Sequence, residues 1–282
     1  MNNKNKGIFH IILAAFFFSL MSFLVRLSGD LPVMQKAFFR NAIASLVAVV
    51  ILAGTEEKFR IKKGSIPLLL VRSVCGTIGI VCNFYAIDHM NISDANMLNK
   101  LSPFFAIVAS IFVLREKAGK KDWGIVIVAF AGALLVMKPS FSVEAVPALV
   151  GALGGLTAGI AYTFVRKLGQ QGERGPVIIM FFSVMSTLVA VPFIIVHHAP
   201  MTLSQLLLLL GAGCAAAGGQ LNITAAYRYA PAKEISVFDY SQVIFAAGFG
   251  ILIFGEMPDW MSVLGYILII GAAVYRWADG RK

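Results

Sequence analysis

The sequence predicts an all-α integral membrane protein whose ten transmembrane helices are built from two inverted five-helix repeats. Three observations predict this class. The 282 residues are 59% hydrophobic and only 13% charged, with a mean hydropathy of +0.82. The chain repeats itself at an offset near 140 residues, and its basic residues are concentrated in alternate connecting segments. Because a soluble domain carries roughly 25% charged residues, this much apolar surface requires a bilayer as its solvent.

The internal repeat is visible in two pairs of segments. Residues 19–27 (SLMSFLVRL) match residues 159–167 (GIAYTFVRK), and residues 112–116 (FVLRE) match residues 252–256 (LIFGE). Both pairs are separated by 140 positions. Internal duplication in a very apolar chain is typical of secondary transporters, which are built from two related halves.

Apolar windows separated by charged or turn-forming residues predict ten helices. The separators have local causes, such as the Ser-Gly-Asp turn at 28–30 and the charged segment at 54–64. The first window begins with basic residues, as a signal peptide does, but it is too long and lacks a cleavage pattern, so we interpret it as a span. The predicted limits are 7–27, 33–53, 65–88, 95–115, 122–138, 146–167, 175–197, 203–229, 234–255 and 260–277.

The basic residues predict how these helices are oriented. With the N-terminus in the cytoplasm, the cytoplasmic segments contain 18 of the 24 Lys and Arg residues. This bias predicts a multi-pass protein of the plasma membrane with both termini in the cytoplasm. It also accounts for the net charge of +10 without a nucleic-acid partner. Each predicted repeat, 7–138 and 146–277, contains five helices, so the second repeat is inserted upside down relative to the first.

Four charged residues lie well inside predicted spans, namely Arg40, Arg72, Lys100 and Asp239. At about 1.5 Å rise per residue, Arg40 and Lys100 lie roughly 10 and 8 Å from the outer ends of their helices. Arg72 and Asp239 lie on the order of 10 Å from the inner ends. These depths favour an ion pair between Arg72 and Asp239, and they separate Lys100 from Asp239 by roughly 15 Å.

Buried charges of this kind indicate function or architecture. We expect Arg40 and Lys100 to bind a carboxylate or phosphate of the cargo, Asp239 to be a proton carrier, and Arg72 to be a structural partner of Asp239. The alternatives are that the basic side chains snorkel or cap a broken helix, and that Asp239 is only a fixed ion-pair partner.

Uncharged polar residues inside the spans complete the predicted substrate site. Asn96, Asn99 and Lys100 share one side of the fourth helix, because Asn99 and Lys100 lie three and four residues after Asn96. The repeat offset places Asn99 opposite Asp239 and Lys100 opposite Tyr240. The alternative is that these groups only hydrogen-bond between helices. The predicted polar set comprises Asn83, Tyr85, Asn96, Asn99, Tyr240 and Gln242.

Several segments resemble the EamA-type, ten-helix branch of the drug/metabolite transporter superfamily. The resemblance rests on Phe38-Phe39-Arg40, on Ser102-Pro103-Phe104-Phe105, on Tyr240-Ser241-Gln242 and on the segment at 253–259 (IFGEMPD). It implies a small-molecule transporter with a central cavity lined by helices 1–4 and 6–9. Helices 5 and 10 are then peripheral. The sequence departs from the family at Arg115, where Gly is frequent, and Lys100 is unusual beside Pro103.

The residues therefore predict a secondary transporter whose partners are a small-molecule substrate and the lipid bilayer. The alternative class is a membrane-embedded enzyme that acts on a lipid or lipid-like substrate. The chain shows no Walker motif and no clustered acid motif for metal-bound pyrophosphate, so we expect no cofactor and no metal. Its three cysteines, Cys75, Cys82 and Cys214, lie in apolar segments and are interpreted as small packing residues.

Overall fold

A computed structural model describes residues 3–115, 119–137, 145–197, 199–229 and 236–279. Three features of the predicted map lie outside these ranges. They are Glu116 of the second repeat match, the end of the fifth helix at 138, and the start of the ninth helix at 234.

The described residues form ten helices and no strands, which confirms the predicted fold class. Two of the helices change form along their length. Helix α4 consists of α4a (Ile92–Asn99) and α4b (Ser102–Val113). Helix α9 consists of a 3₁₀ turn (Ser236–Tyr240), an α-helix (Ser241–Phe249) and a π-helical end (Gly250–Phe254). The others are α1 (Asn3–Leu27), α2 (Val33–Ala53), α3 (Ile66–His89), α5 (Lys120–Met137), α6 (Val146–Gln170), α7 (Gly175–Val196), α8 (Leu203–Tyr229) and α10 (Trp260–Asp279).

Eight of these helices are long and apolar enough to cross a bilayer. The other two are either too charged or too short to be counted with them. Helix α5 has only 18 residues and begins with Lys120, Lys121 and Asp122. Helix α9 is apolar over Phe238–Phe254 but is short. Both are flanked by long spans, and contacts with those spans place them in the bundle.

Eight helices form a closed ring. Following the most extensive contacts, the order around the ring is α1, α8, α2, α7, α3, α6, α4, α9 and back to α1. Helices α5 and α10 pack against each other at the periphery. Helices α5 and α10 are the two that the family resemblance implies to be peripheral.

The order of the helices around the ring stays the same when the helices of one half are exchanged with their counterparts in the other half. Exchanging α1–α5 with α6–α10 converts the α1–α8 contact into the α6–α3 contact, and these are the two most extensive contacts in the protein. The α2–α7 and α5–α10 contacts convert into themselves. This invariance is the mark of a pseudo-two-fold axis between the halves. Helix α1 and its counterpart α6 run in opposite directions, since α1 ends beside the start of α4 whereas α6 ends beside its end.

The bundle has two ends. The end that carries the start of α1 and the end of α10 is called the terminal end, and the end that carries the end of α1 is called the far end. At the far end, Arg26 Nη2 donates to Glu256 Oε1 at 3.1 Å, and Glu256 Oε2 accepts from the Ile92 N–H at 2.9 Å. Gly255, at φ 66°, ends α9 in a left-handed conformation and turns Glu256 back toward these partners. Lys36, fully buried, pairs there with both oxygens of Asp88 at 2.7 Å.

Candidate functional site

The fourth helix of each half is interrupted at the same position of the repeat. Helix α4a ends at Asn99, and α4b starts at Ser102 with Pro103 as its second residue. Proline lacks an N–H donor and its ring displaces the preceding turn, so the helix cannot pass through this point unbroken. In α9 the 3₁₀ turn ends at Tyr240 and the α-helix starts at Ser241. The fourth predicted helix is therefore interrupted rather than continuous.

A buried ion pair joins the two interruptions. Lys100 Nζ lies 2.5 Å from Asp239 Oδ2, and the Tyr240 hydroxyl donates to the Lys100 carbonyl oxygen at 3.2 Å. The side chains of Lys100 and Asp239 are 9% and 19% exposed. The carbonyl oxygen freed by the interruption of α4 thus finds its partner on α9, and a charge from each half meets near the pseudo-two-fold axis.

The expected pairing of Arg72 with Asp239 is wrong. Asp239 pairs with Lys100, and Arg72 lies against Phe182 instead. Depth along a span predicts which residues can pair only if both helices are straight and perpendicular to the membrane. Neither helix is straight here, because Lys100 terminates a half-helix and Asp239 lies in a 3₁₀ turn.

Uncharged side chains extend this site from α4 and α9 onto α1. Gln242 Nε2 donates to Asn96 Oδ1 at 2.6 Å, and the Ser22 hydroxyl donates to the same oxygen at 3.3 Å. The Ser19 hydroxyl donates to the Gln242 carbonyl oxygen at 2.7 Å. Asn96 and Gln242 therefore lie together with Lys100, Asp239 and Tyr240 along the facing sides of the two interrupted helices.

The other predicted residues are dispersed. Asn83 is buried on α3, and its Oδ1 has no hydrogen-bond partner among the described residues. The Tyr85 ring stacks on the His89 ring at the far end of α3, with the ring centroids 4.1 Å apart. Tyr85 is therefore not among the residues that contact the Lys100–Asp239 pair. Asn99 is half-buried at the end of α4a. Arg40 lies on α2, 5.8 Å from the Phe182 ring.

Two functional candidates escaped the sequence analysis. Asp94, one residue before the predicted fourth helix, is a buried acid within the α4 span, and the Tyr266 hydroxyl donates to it at 2.5 Å. Asp239 is therefore not the only acid inside a span. Tyr162 on α6 is 53% exposed and lies within electrostatic range of Asp239, Arg40 and Arg72. The signal for Tyr162 was the repeat itself, because it corresponds to Ser22 at the offset of 140.

The site offers charges and hydrogen bonds for binding. Within the described ranges, no group of three His, Cys, Asp or Glu side chains is placed to hold a metal ion, and the three cysteines are free thiols. A pseudo-symmetric ring of membrane helices, with charged residues at paired helix interruptions near its centre, is the architecture of secondary transporters. Fold and site together define a membrane transport protein.

A family model confirms this class and identifies the family. The model for the EamA-like transporter family matches residues 5–138 and again residues 146–275, nearly the whole length of the chain. The chain belongs to the EamA-like transporter family.

The relatives are transporters or carriers by name. The chain is 34% identical over 271 residues to the pseudopaline exporter CntI of Pseudomonas aeruginosa. The aligned region covers 95% of this chain and 94% of that protein. It is 27% identical to an uncharacterized transporter of Helicobacter pylori, covering 94% of this chain and 92% of that protein. It is also 27% identical to the solute carrier family 35 member G1 of Homo sapiens, covering 98% of this chain and 81% of that protein.

The fold also has a counterpart among solved structures. One crystal structure superimposes with a TM-score of 0.71 and covers 98% of this chain and 99% of its own. Its sequence identity is only 14%, so the likeness concerns the fold alone.

Proposed function

We propose that the protein is a secondary transporter that moves a small anionic or zwitterionic metabolite, such as an amino acid or related compound, across the cytoplasmic membrane by alternating access. The observation that carries this proposal is the Lys100–Asp239 ion pair between the two helix interruptions. A cargo carboxylate replaces Asp239 as the partner of Lys100, and a cargo ammonium replaces Lys100 as the partner of Asp239. Each buried charge then remains compensated during binding.

Alternating access follows from the inverted halves. A pseudo-two-fold axis relates two conformations of nearly equal energy, and the site near that axis is exposed to one side and then to the other. At the far end, Glu256 holds Arg26 of α1 and the N–H of Ile92 of α4, and Lys36 of α2 holds Asp88 of α3. Alternating access requires contacts of this kind to separate in one of the two conformations.

The orientation and direction of transport belong to the same proposal. The concentration of 18 of the 24 basic residues in six segments supports a cytoplasmic terminal end with both termini in the cytoplasm. The relative in P. aeruginosa is named an exporter, which supports export by this chain.

The proposal is tested on purified protein. Ligands are first selected from amino acids, nucleotides, polyamines and phosphorylated metabolites by the rise in thermal midpoint that binding to the folded state produces. Selected compounds are then loaded into proteoliposomes, and counterflow of the labelled compound is measured. We expect counterflow in the native protein and in the exposed-loop control Lys63→Met, and its loss in Lys100→Met.

Two outcomes would contradict the proposal. One is Lys100→Met protein that remains folded and binds the selected compound with unchanged affinity. The other is mass-spectrometric recovery of a chemically altered compound, which would indicate an enzyme rather than a transporter.

A further inference from the structure

Two arginines from different helices lie over the ring of Phe182. The Cζ atom of Arg72 on α3 lies 3.7 Å from the centroid of the Phe182 ring, and that of Arg40 on α2 lies 5.8 Å from it. Phe182 belongs to α7, which lies between α2 and α3 in the ring. The three residues therefore come from three consecutive helices of the ring.

The two arginines lie well inside their helices and are buried. Arg40 is about 10 Å from the far end of α2, and Arg72 is about 9 Å from the terminal end of α3, by helical rise. The Arg72 side chain extends over Gly76, one turn nearer the centre, because its Nη1 lies 2.8 Å from the position that a Cβ would occupy there. Both arginines are 6% exposed. This depth places them beyond the reach of lipid headgroups.

Neither arginine has an acidic partner within the part of the chain that the structure describes. Nε and Nη1 of Arg72 are buried without a hydrogen-bond partner, and so is Nε of Arg40. The Nη1 of Arg40 donates only to Asn41 Oδ1, at 2.5 Å, and Asn41 is in turn held by Ser186. Buried charges are ordinarily paired, and a cation–π contact supplies about 2 kcal/mol when desolvated, less than the cost of burying a charge.

Tyr162 lies near both the two arginines and the Lys100–Asp239 ion pair of α4 and α9. Tyr162 is 53% exposed on α6, and its phenol lies within electrostatic range of Arg40, Arg72 and Asp239. The two arginines and Asp239 therefore all lie near Tyr162.

We propose that Arg40 and Arg72, held by Phe182, form an oxyanion subsite for a cargo group carrying two negative charges, either two neighbouring carboxylates or one phosphate. This inference rests on the proposed transport function and specifies its cargo class. The cargo carries a zwitterionic end for Lys100 and Asp239 and a doubly anionic end for the arginines. Guanidinium groups suit this task because their fixed N–H donors match oxyanions bidentately.

The subsite is tested with two simple probes, malonate and inorganic phosphate. The thermal midpoint of the purified full-length protein is measured as each probe is added, against chloride at equal ionic strength. We expect stabilisation of the native protein by at least one probe. Arg40→Gln and Arg72→Gln should weaken the apparent affinity about ten- to a hundredfold, in line with the loss of a charged hydrogen bond. The matched control Arg60→Gln, on an exposed loop, should retain the native response.

Each result with these probes and variants either supports or overturns the subsite. A response to malonate alone supports a pair of carboxylates, and a response to phosphate supports a phosphate group. The absence of stabilisation by either probe overturns the subsite, as does an equal response from the folded Gln variants. If those variants do not fold, Arg72→Lys keeps the charge but loses the bidentate fork, and unchanged affinity in this variant overturns the subsite equally. Probe binding without counterflow would refute transport while leaving the subsite intact.

Discussion

Lys100 and Asp239 show how two charges from different helices compensate each other inside the bundle. Each charge on its own would cost several kcal/mol to remove from water, and pairing compensates both. One carboxylate oxygen of Asp239, Oδ1, is buried without a hydrogen-bond partner among the described residues. We expect that oxygen to accept from a cargo ammonium or to take a proton. Asp239 therefore combines a fixed partner with a free acceptor.

Replacing Asp239 with Asn tests whether this carboxylate couples transport to protons. Asn keeps the shape of the side chain but cannot titrate, so we expect Asp239→Asn to lose accumulation driven by a pH gradient while it retains counterflow in proteoliposomes. The exposed-loop variant Asp30→Asn serves as the control. Loss of both activities would assign Asp239 a structural role with Lys100. Full accumulation under the gradient would remove it from the coupling mechanism.

At the scale of elements, the interruption of α4 is packed against glycines of α6. A Cβ at Gly155 would lie 2.6 Å from the Leu98 carbonyl oxygen, and one at Gly159 would lie 2.6 Å from the Ser102 carbonyl oxygen. Thr163, further along α6, donates to the Ala106 carbonyl oxygen at 3.3 Å. Small residues thus allow two backbones to approach at the point where α4 changes direction.

The comparison of two glycines on α6 tests this packing. We expect Gly159→Ala to lower the thermal midpoint, because the new methyl group meets backbone atoms that cannot move independently. Gly169→Ala on the same helix meets no atom within 4 Å, and it should raise the midpoint, since Ala is favoured over Gly in helices by about 1 kcal/mol. Equal effects of the two substitutions would contradict the close approach of α6 to α4.

At the scale of the whole molecule, the two halves are also joined outside the bundle. The carboxylate of Glu173, between α6 and α7, accepts from the backbone N–H of Lys62, between α2 and α3, at 3.0 Å, and from that of Arg174 at 3.1 Å. Burial alone would raise the pKa of Glu173, but these donors and the Lys62 charge together lower it below its ordinary value of 4.5. The lowered pKa means that the folded protein favours the ionised carboxylate.

This linkage predicts the pH dependence of stability at the contact between the halves. Because the folded-state pKa is the lower one, the contribution of Glu173 is fully present above pH 4.5 and is lost as the pH falls through the folded-state pKa. We expect the native protein to have a higher thermal midpoint than Glu173→Gln at neutral pH, and the difference to shrink below pH 4.5. The exposed control Glu56→Gln should match the native profile. A difference that persists to low pH would contradict the assignment.

The orientation of the whole bundle is tested by labelling single cysteines in intact cells. In a variant whose three native cysteines are replaced, we expect cysteine at Lys62 or Lys120 to be protected from an impermeant reagent added outside. Cysteine at His89 should react, because it lies exposed at the far end of α3. Labelling at Lys62 and Lys120 with protection at His89 would reverse the proposed orientation.

Hydropathy and repetition in the sequence determined the all-helical class, the number of helices and the two related halves, because a span and its charged flanks are local properties. The sequence also singled out Lys100, Asp239, Asn96, Tyr240 and Gln242, since polar residues inside apolar windows are conspicuous. Only the tertiary structure decided that Lys100 rather than Arg72 pairs with Asp239, and that Arg72 and Arg40 both lie over Phe182. The physical reason is that ion pairs between helices depend on where each helix is interrupted and on the helix that lies beside it. Neither property is encoded in the depth of a residue along its own span.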